Sequence, residues 1–165
     1  MSESYRELAL LRPLPVAKLR ACGVPEPITF GQADRVRFRE LDVLDHVNNA
    51  VYLGWFETLR IAYLRAYGIG DYEPDGERPA LVLRSVSVDY HRPLHLEDVY
   101  IVTGRTVAYR RTSWTMEYRV YSGGHHCTTG HAVICLMAPD HATRMPLPEA
   151  YVATFRDRDG AEREG

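Results

Sequence analysis

Residues 40–60 read ELDVLDHVNNAVYLGWFETLR. The second half of this stretch has helical periodicity. Tyr52, Trp55, Phe56, Leu59, Ala62, Tyr63 and Ala66 recur at steps of three and four, which lines up one apolar face. The spacing predicts a helix over Asn49 to Tyr67, with Gly68 where a C-terminal cap belongs. Asp45 or Asn48 can cap its start. The first half places Asp42, His46 and the pair Asn48-Asn49 in the loop just before that helix.

This order suits attack on a carbonyl. A loop carboxylate such as Asp42 can be a nucleophile toward a thioester or a base toward water. The first N–H groups of a helix lack intrahelical partners and lie at the positive end of its dipole. Near Asn48 and Asn49 they can bind a carbonyl oxygen and stabilise the charge that develops on it. His46 can orient the carboxylate, hold water or donate toward a leaving sulfur. Asn49 can fix the carboxylate or the water. The competing structural reading makes Asp42 a cap, His46 a packing residue and Asn48-Asn49 a turn.

Moving outward, Arg35 to Arg39 alternates through Val36 and Phe38, which predicts a half-buried strand. Beyond the helix and a loop over Asp71 to Pro79 come four strand-like runs. They are Leu81–Arg92, Asp98–Tyr109, Thr112–Tyr121 and His126–Met137, joined by tight connections at Arg110-Arg111 and Gly123-Gly124. One long helix followed by a meander argues for an α+β domain with one antiparallel sheet of about five strands around the helix. Residues 1–27 read as an N-terminal extension with at most one short helix, and 28–155 as the folded domain. The charged run 156–165, RDRDGAEREG, reads as a disordered tail.

The chain has 165 residues, 45% hydrophobic and 25% charged, with net charge -2. That balance is globular and gives no pull toward nucleic acid. Lys18 is the only lysine. Cys22, Cys127 and Cys135 fit a reducing cytosol, so a cytoplasmic location is expected. No apolar run approaches the roughly 20 residues of a membrane span, and Glu3 and Glu7 spoil a basic leader. His125, His126, Cys127 and His131 suggest metal ligands. Strand alternation puts Cys127 and His131 on one face and His126 on the other, so no metal is expected.

The pattern Asp42-x-x-x-His46-Val47-Asn48-Asn49-x-x-Tyr52-x-x-Trp55-Phe56-Glu57 resembles the signature of hotdog-fold acyl thioesterases. The resemblance is to the 4-hydroxybenzoyl-CoA thioesterase-like group and the related acyl-ACP thioesterases of plants. A second piece, Val88-Asp89-Tyr90-His91-Arg92-Pro93-Leu94, is similar to that family's V-x-Y-x-R-P-x strand end. The order of elements agrees from Ile28 to Pro148. Asp45 stands where the family usually has Gly. Leu44 and Pro93 occupy positions where the plant branch carries an Asn and an acidic residue, which favours an Asp-centred mechanism.

The resemblance implies a hotdog fold and hydrolysis of an acyl-CoA or acyl-carrier-protein thioester, with coenzyme A as part of the substrate and no other cofactor. It implies Asp42 as the catalytic carboxylate and the helix start at Asn48 and Asn49 as the oxyanion site. It also implies a homodimer or homotetramer with the substrate between subunits. Tyr52 and Trp55 are candidates to line an acyl pocket. Arg92, Arg110 and Arg111 are candidates for phosphate contacts, since Arg meets phosphate through a planar fork. A non-catalytic acyl-binding module and a hotdog dehydratase are the alternatives. The dehydratase needs a Gly-His-Phe-Pro-like segment that the chain lacks.

Overall fold

The aromatic stripe does form the central helix, and the sheet is built around it. The computed structural model describes Tyr5, residues 7–69 and residues 79–165. The expected Asp71–Pro79 loop lies outside them, apart from Pro79. In chain order the elements are α1 (Val16–Ala21), β1 (Gly31–Arg35), a 3-10 turn (Phe38–Glu40), α2 (Val51–Ala66), β2 (Ala80–Tyr90), β3 (Val99–Tyr109), β4 (Ser113–Ser122), β5 (His125–Met137), α3 (Glu149–Asp159) and β6 (Glu162–Arg163). The sheet order is β1-β3-β4-β5-β2, with antiparallel neighbours throughout. The short β6 adds to β3 in parallel.

Helix α2 buries Tyr52, Trp55, Phe56, Leu59, Tyr63 and Leu64 against the inner face of the sheet. Each such side chain contributes roughly 1.5–3 kcal/mol on burial. The approach is close enough to require bare backbone. A Cβ on Gly130 would come within 2.5 Å of the Phe56 ring, and one on Gly104 within 2.8 Å of Leu59. The helix ends where expected: Gly68 takes φ +68°, and Ile69 N–H closes on Leu64 O at 2.8 Å.

Two expectations need correction. The first strand is Gly31–Arg35, not Arg35–Arg39. Pairing with β3, from Gly31 opposite Thr103 to Arg35 opposite Val99, fixes it. The alternation of residues 35–39 is broken when Arg37 N–H donates to Glu40 Oε2 at 2.7 Å and starts the 3-10 turn, leaving Phe38 80% exposed. The second correction concerns 156–165, which are folded. Helix α3 runs through Asp159, and Glu162 and Arg163 pair with Ala108 and Tyr109. Phe155 and Ala161 enter the core, so this end of the chain closes the sheet instead of trailing from it.

The N-terminal extension is docked as well. Tyr5, Leu14, Leu19, Cys22 and Ile28 form a second apolar cluster on the back of the sheet with Ala33, Val99, Ile101 and Tyr121. Leu11 N–H donates to Ala33 O at 2.8 Å and Leu14 N–H to Gly31 O at 2.9 Å, covering the outer side of β1. At the other side of the sheet, β2 is exposed along most of its length.

Candidate active site

The loop between the 3-10 turn and α2 is tied down at both ends. Val47 N–H donates to Leu94 O, and Asn48 N–H to Glu40 O, both at 2.9 Å. Glu40 itself is buried and accepts from the Trp55 indole at 3.2 Å. Sequence reading passed over Glu40, although Arg37-x-x-Glu40 has capping-box spacing.

Within this frame Asp42 is half-buried. Its Oδ1 accepts from Leu44 N–H at 2.8 Å and from His46 N–H at 3.3 Å, and its own N–H donates to His46 O at 2.8 Å. Oδ2 receives no hydrogen bond from the described residues. One oxygen therefore holds the loop and the other is left without a partner among the described residues. His46 meets Asp42 through its backbone, while its ring stands edge-on to His95 with centroids 5.1 Å apart. Asp45 adopts φ +58°, a left-handed conformation that explains a family preference for Gly there.

The helix start is more restrictive than expected. Neither Asp45 nor Asn48 caps it, since Ala50 holds the N-cap position without a side-chain bond; Asn48 forms the turn just ahead, its Oδ1 accepting from Ala50 N–H at 2.9 Å and its carbonyl from Val51 N–H at 3.0 Å. Since Asn48 N–H is committed to Glu40, Asn48 is not a free backbone donor. Asn49 N–H takes no partner among the described residues, and Asn49 O accepts from the Tyr90 hydroxyl at 2.9 Å. From sequence, Tyr90, at the end of β2, belongs to the Val88–Leu94 strand-end match but was not a site candidate.

The other candidates divide between two ends of the sheet. Tyr52 packs between Trp55 and Tyr90, and burial pushes its hydroxyl up to about 12. Trp55 stacks on Tyr100 with centroids 3.9 Å apart. It lines a cleft of about 590 Å³ between α2 and the β1 side of the sheet. Arg92 lines a smaller cleft of about 400 Å³ with His95 and Cys127, beside the Asp42 loop. Arg110 and Arg111 lie at the far end of β3, roughly 33 Å along the strand from Val99. Arg110 pairs with Glu164 at 3.3 Å. One chain therefore does not bring these two arginines to its own Asp42.

The suggested metal residues do not converge either. A register shift opposite Val120 and Tyr121 interrupts the alternation of β5. Cys127 packs into the core, whereas His131 faces Glu117 at 3.8 Å on the back of the sheet. Among the described residues no group of three His, Cys, Asp or Glu side chains can hold a metal ion.

A family model described as the thioesterase-like superfamily matches residues 36–155. The chain belongs to this superfamily. A thioesterase-superfamily crystal structure from Jannaschia sp. CCS1 is 41% identical, with TM-score 0.86 over 93% of this chain and 97% of that one. A thioesterase from Thermus thermophilus, crystallised with coenzyme A and Zn, is 36% identical. It aligns with TM-score 0.64 over 78% of this chain and 93% of its own. The acyl-CoA thioester hydrolase YbgC of Escherichia coli is 26% identical over 124 residues, covering 74% of this chain and 92% of that protein. The sheet wrapped on α2 is the hotdog fold of this family. No helix among the described residues is long and apolar enough to cross a membrane.

Proposed function

We propose that this protein hydrolyses an acyl-CoA thioester, with Asp42 as its reactive carboxylate and Asn49 N–H as an oxyanion donor. The observation that carries the reading is the split use of the Asp42 carboxylate. Oδ1 is held by two backbone N–H groups, so the side chain is oriented before substrate arrives. Oδ2 carries the lone pairs that react. The names of the relatives support the chemistry, since YbgC is an acyl-CoA thioester hydrolase and the Thermus thioesterase was crystallised with coenzyme A.

Two routes use the same oxygen. In one, Oδ2 attacks the thioester carbonyl, the C–S bond breaks, and water then hydrolyses the acyl-aspartyl anhydride. In the other, Oδ2 removes a proton from water as that water attacks. In both, the carbonyl oxygen gains negative charge within reach of the helix start, where a free N–H and the helix dipole favour it. His46, half-buried beside His95, can supply the proton that the departing thiolate needs. Arg92 lies at the same end and is the phosphate contact that one chain can offer. The test is release of free thiol from a panel of acyl-CoA and acyl-carrier-protein thioesters by the wild type and Asp42→Asn. Equal rates in both folded proteins would overturn the assignment.

A further inference from the structure

We infer that the cleft between α2 and the β1 side is an acyl channel, graduated by Gly54 and Thr58, and that the substrates are thioesters of linear, medium-length acyl chains. This rests on the hydrolase reading above, and the observations are separate from Asp42. The cleft holds about 590 Å³, within the ordinary range for small-ligand sites. It begins at Val51, the first residue of α2 and two residues after Asn49, and runs along one helix face to Leu59. Eight residues of helical rise make this roughly 12 Å. The floor is apolar, with Trp55, Tyr100 and Val102 beneath it. The charges on its wall are largely answered among themselves. Arg37 forks onto Asp34 with both contacts at 2.9 Å, and Glu40 takes the Trp55 indole. A chain lying there meets an apolar floor, with Gln32 and the exposed Arg39 completing the polar wall.

Gly54 is the decisive residue. Glycine inside a helix is disfavoured and normally needs a reason. Packing within the chain gives none, because a Cβ at Gly54 would meet nothing within 4 Å. The space it leaves opens onto this cleft, and on its other flank onto a smaller one of about 150 Å³ that Leu53 and Val86 also line. Thr58 lies one turn further, roughly 6 Å along the axis, with its hydroxyl donated to Gly54 O at 2.9 Å. Bulk at Gly54 shortens the channel near its mouth, and bulk at Thr58 shortens it further in.

The test compares kcat/KM for acetyl-, hexanoyl- and decanoyl-CoA. Gly54→Leu should lower both longer substrates relative to acetyl by at least ~10-fold, the scale of lost methylene contacts. Thr58→Leu should lower decanoyl relative to hexanoyl. Gly54→Ala should raise Tm by about 2–4 °C while still penalising the longer chains, which separates fit from folding. If Gly54→Leu fails to fold, Gly54→Ala and Thr58→Leu carry the same graded comparison. Unchanged chain-length profiles, or equal loss on all three substrates, overturn the channel. So does truncation of the profile by Leu53→Trp alone, on the opposite side of the helix. A readout without turnover is calorimetric binding of S-decyl- and S-methyl-CoA thioethers. Weakened binding of the decyl compound alone in Gly54→Leu supports the channel even if no thioester is hydrolysed, a result that would remove only the hydrolase reading. Equal binding of both compounds by wild type and Gly54→Leu overturns the channel.

Discussion

Asp42 has a structural duty as well as a proposed chemical one, and the choice of substitution matters. Asparagine keeps an oxygen for Leu44 N–H and His46 N–H, so Asp42→Asn should fold normally. It removes the negative charge and should lower turnover by at least ~100-fold, measured by steady-state thiol release. Asp42→Ala mixes the two effects and should also lower Tm. Asp45 gives a contrasting case. Its φ of +58° burdens any residue with a Cβ, so Asp45→Gly should stabilise the fold by about 1 kcal/mol, read from the denaturant midpoint. An unchanged pH–rate profile in that variant would show that Asp45 does not disturb Asp42. The sequence pointed to both residues because motif and helix start are local. It could not show that Asn48 N–H is consumed by Glu40, since that depends on how the 3-10 turn folds back.

Among the elements, those with strong periodicity were legible. The helix expected over Asn49–Tyr67 spans Val51–Ala66, and the four later strands lie within about two residues of their expected ends. Strand β1 was not, because GQADR has no apolar alternation and becomes a strand only by pairing with β3. Helix α3 was misread for a related reason: its most consequential residue is a charge. Asp159 is 3% exposed and accepts from Tyr63 at 2.6 Å, Tyr67 at 2.8 Å and Thr106 N–H at 2.7 Å. Asp159→Ala would leave Tyr67 and Thr106 N–H without an acceptor and Tyr63 with only the Thr106 hydroxyl, so a loss of about 3 kcal/mol in unfolding free energy is expected. Burial holds the Asp159 carboxyl above its ordinary 3.8 despite these donors. A raised folded value means that its contribution is fullest below 3.8 and is lost as pH rises through the folded value. The stability of wild type relative to Asp159→Asn should therefore fall as pH climbs from acid to neutral, checked by paired unfolding curves across that range.

For the whole molecule, the informative asymmetry is between the two sides of the sheet. Strand β2 exposes Val82, Leu83, Val86 and Tyr90, each about 40% accessible, along an edge that no other described strand pairs. Such an edge is a template for another strand. A two-fold pair through β2 would also bring a second Tyr90 and Asn49 toward the interface. Light scattering at micromolar concentration should give at least a dimer, and Val86→Asp should shift it to monomer with loss of activity. Wild-type mass for the folded variant would place the contact elsewhere. Arg110 and Arg111 can reach an Asp42 only from a neighbouring chain. Mixed dimers of Asp42→Asn with an Arg110→Ala, Arg111→Ala chain should therefore recover activity.

The docked N-terminal segment bears on how such pairing stops. A sheet with two open margins joins neighbours without end and grows into a ribbon. Here Leu11 and Leu14 occupy the hydrogen-bonding margin of β1, and β6 occupies the stretch of β3 beyond it. Among the described residues this leaves β2 as the one open valence, and pairing through it would terminate once two molecules spend theirs on each other. Shortening the chain to begin after Leu14 would restore the second valence and turn a closed particle into a polymer, visible as turbidity that increases with concentration.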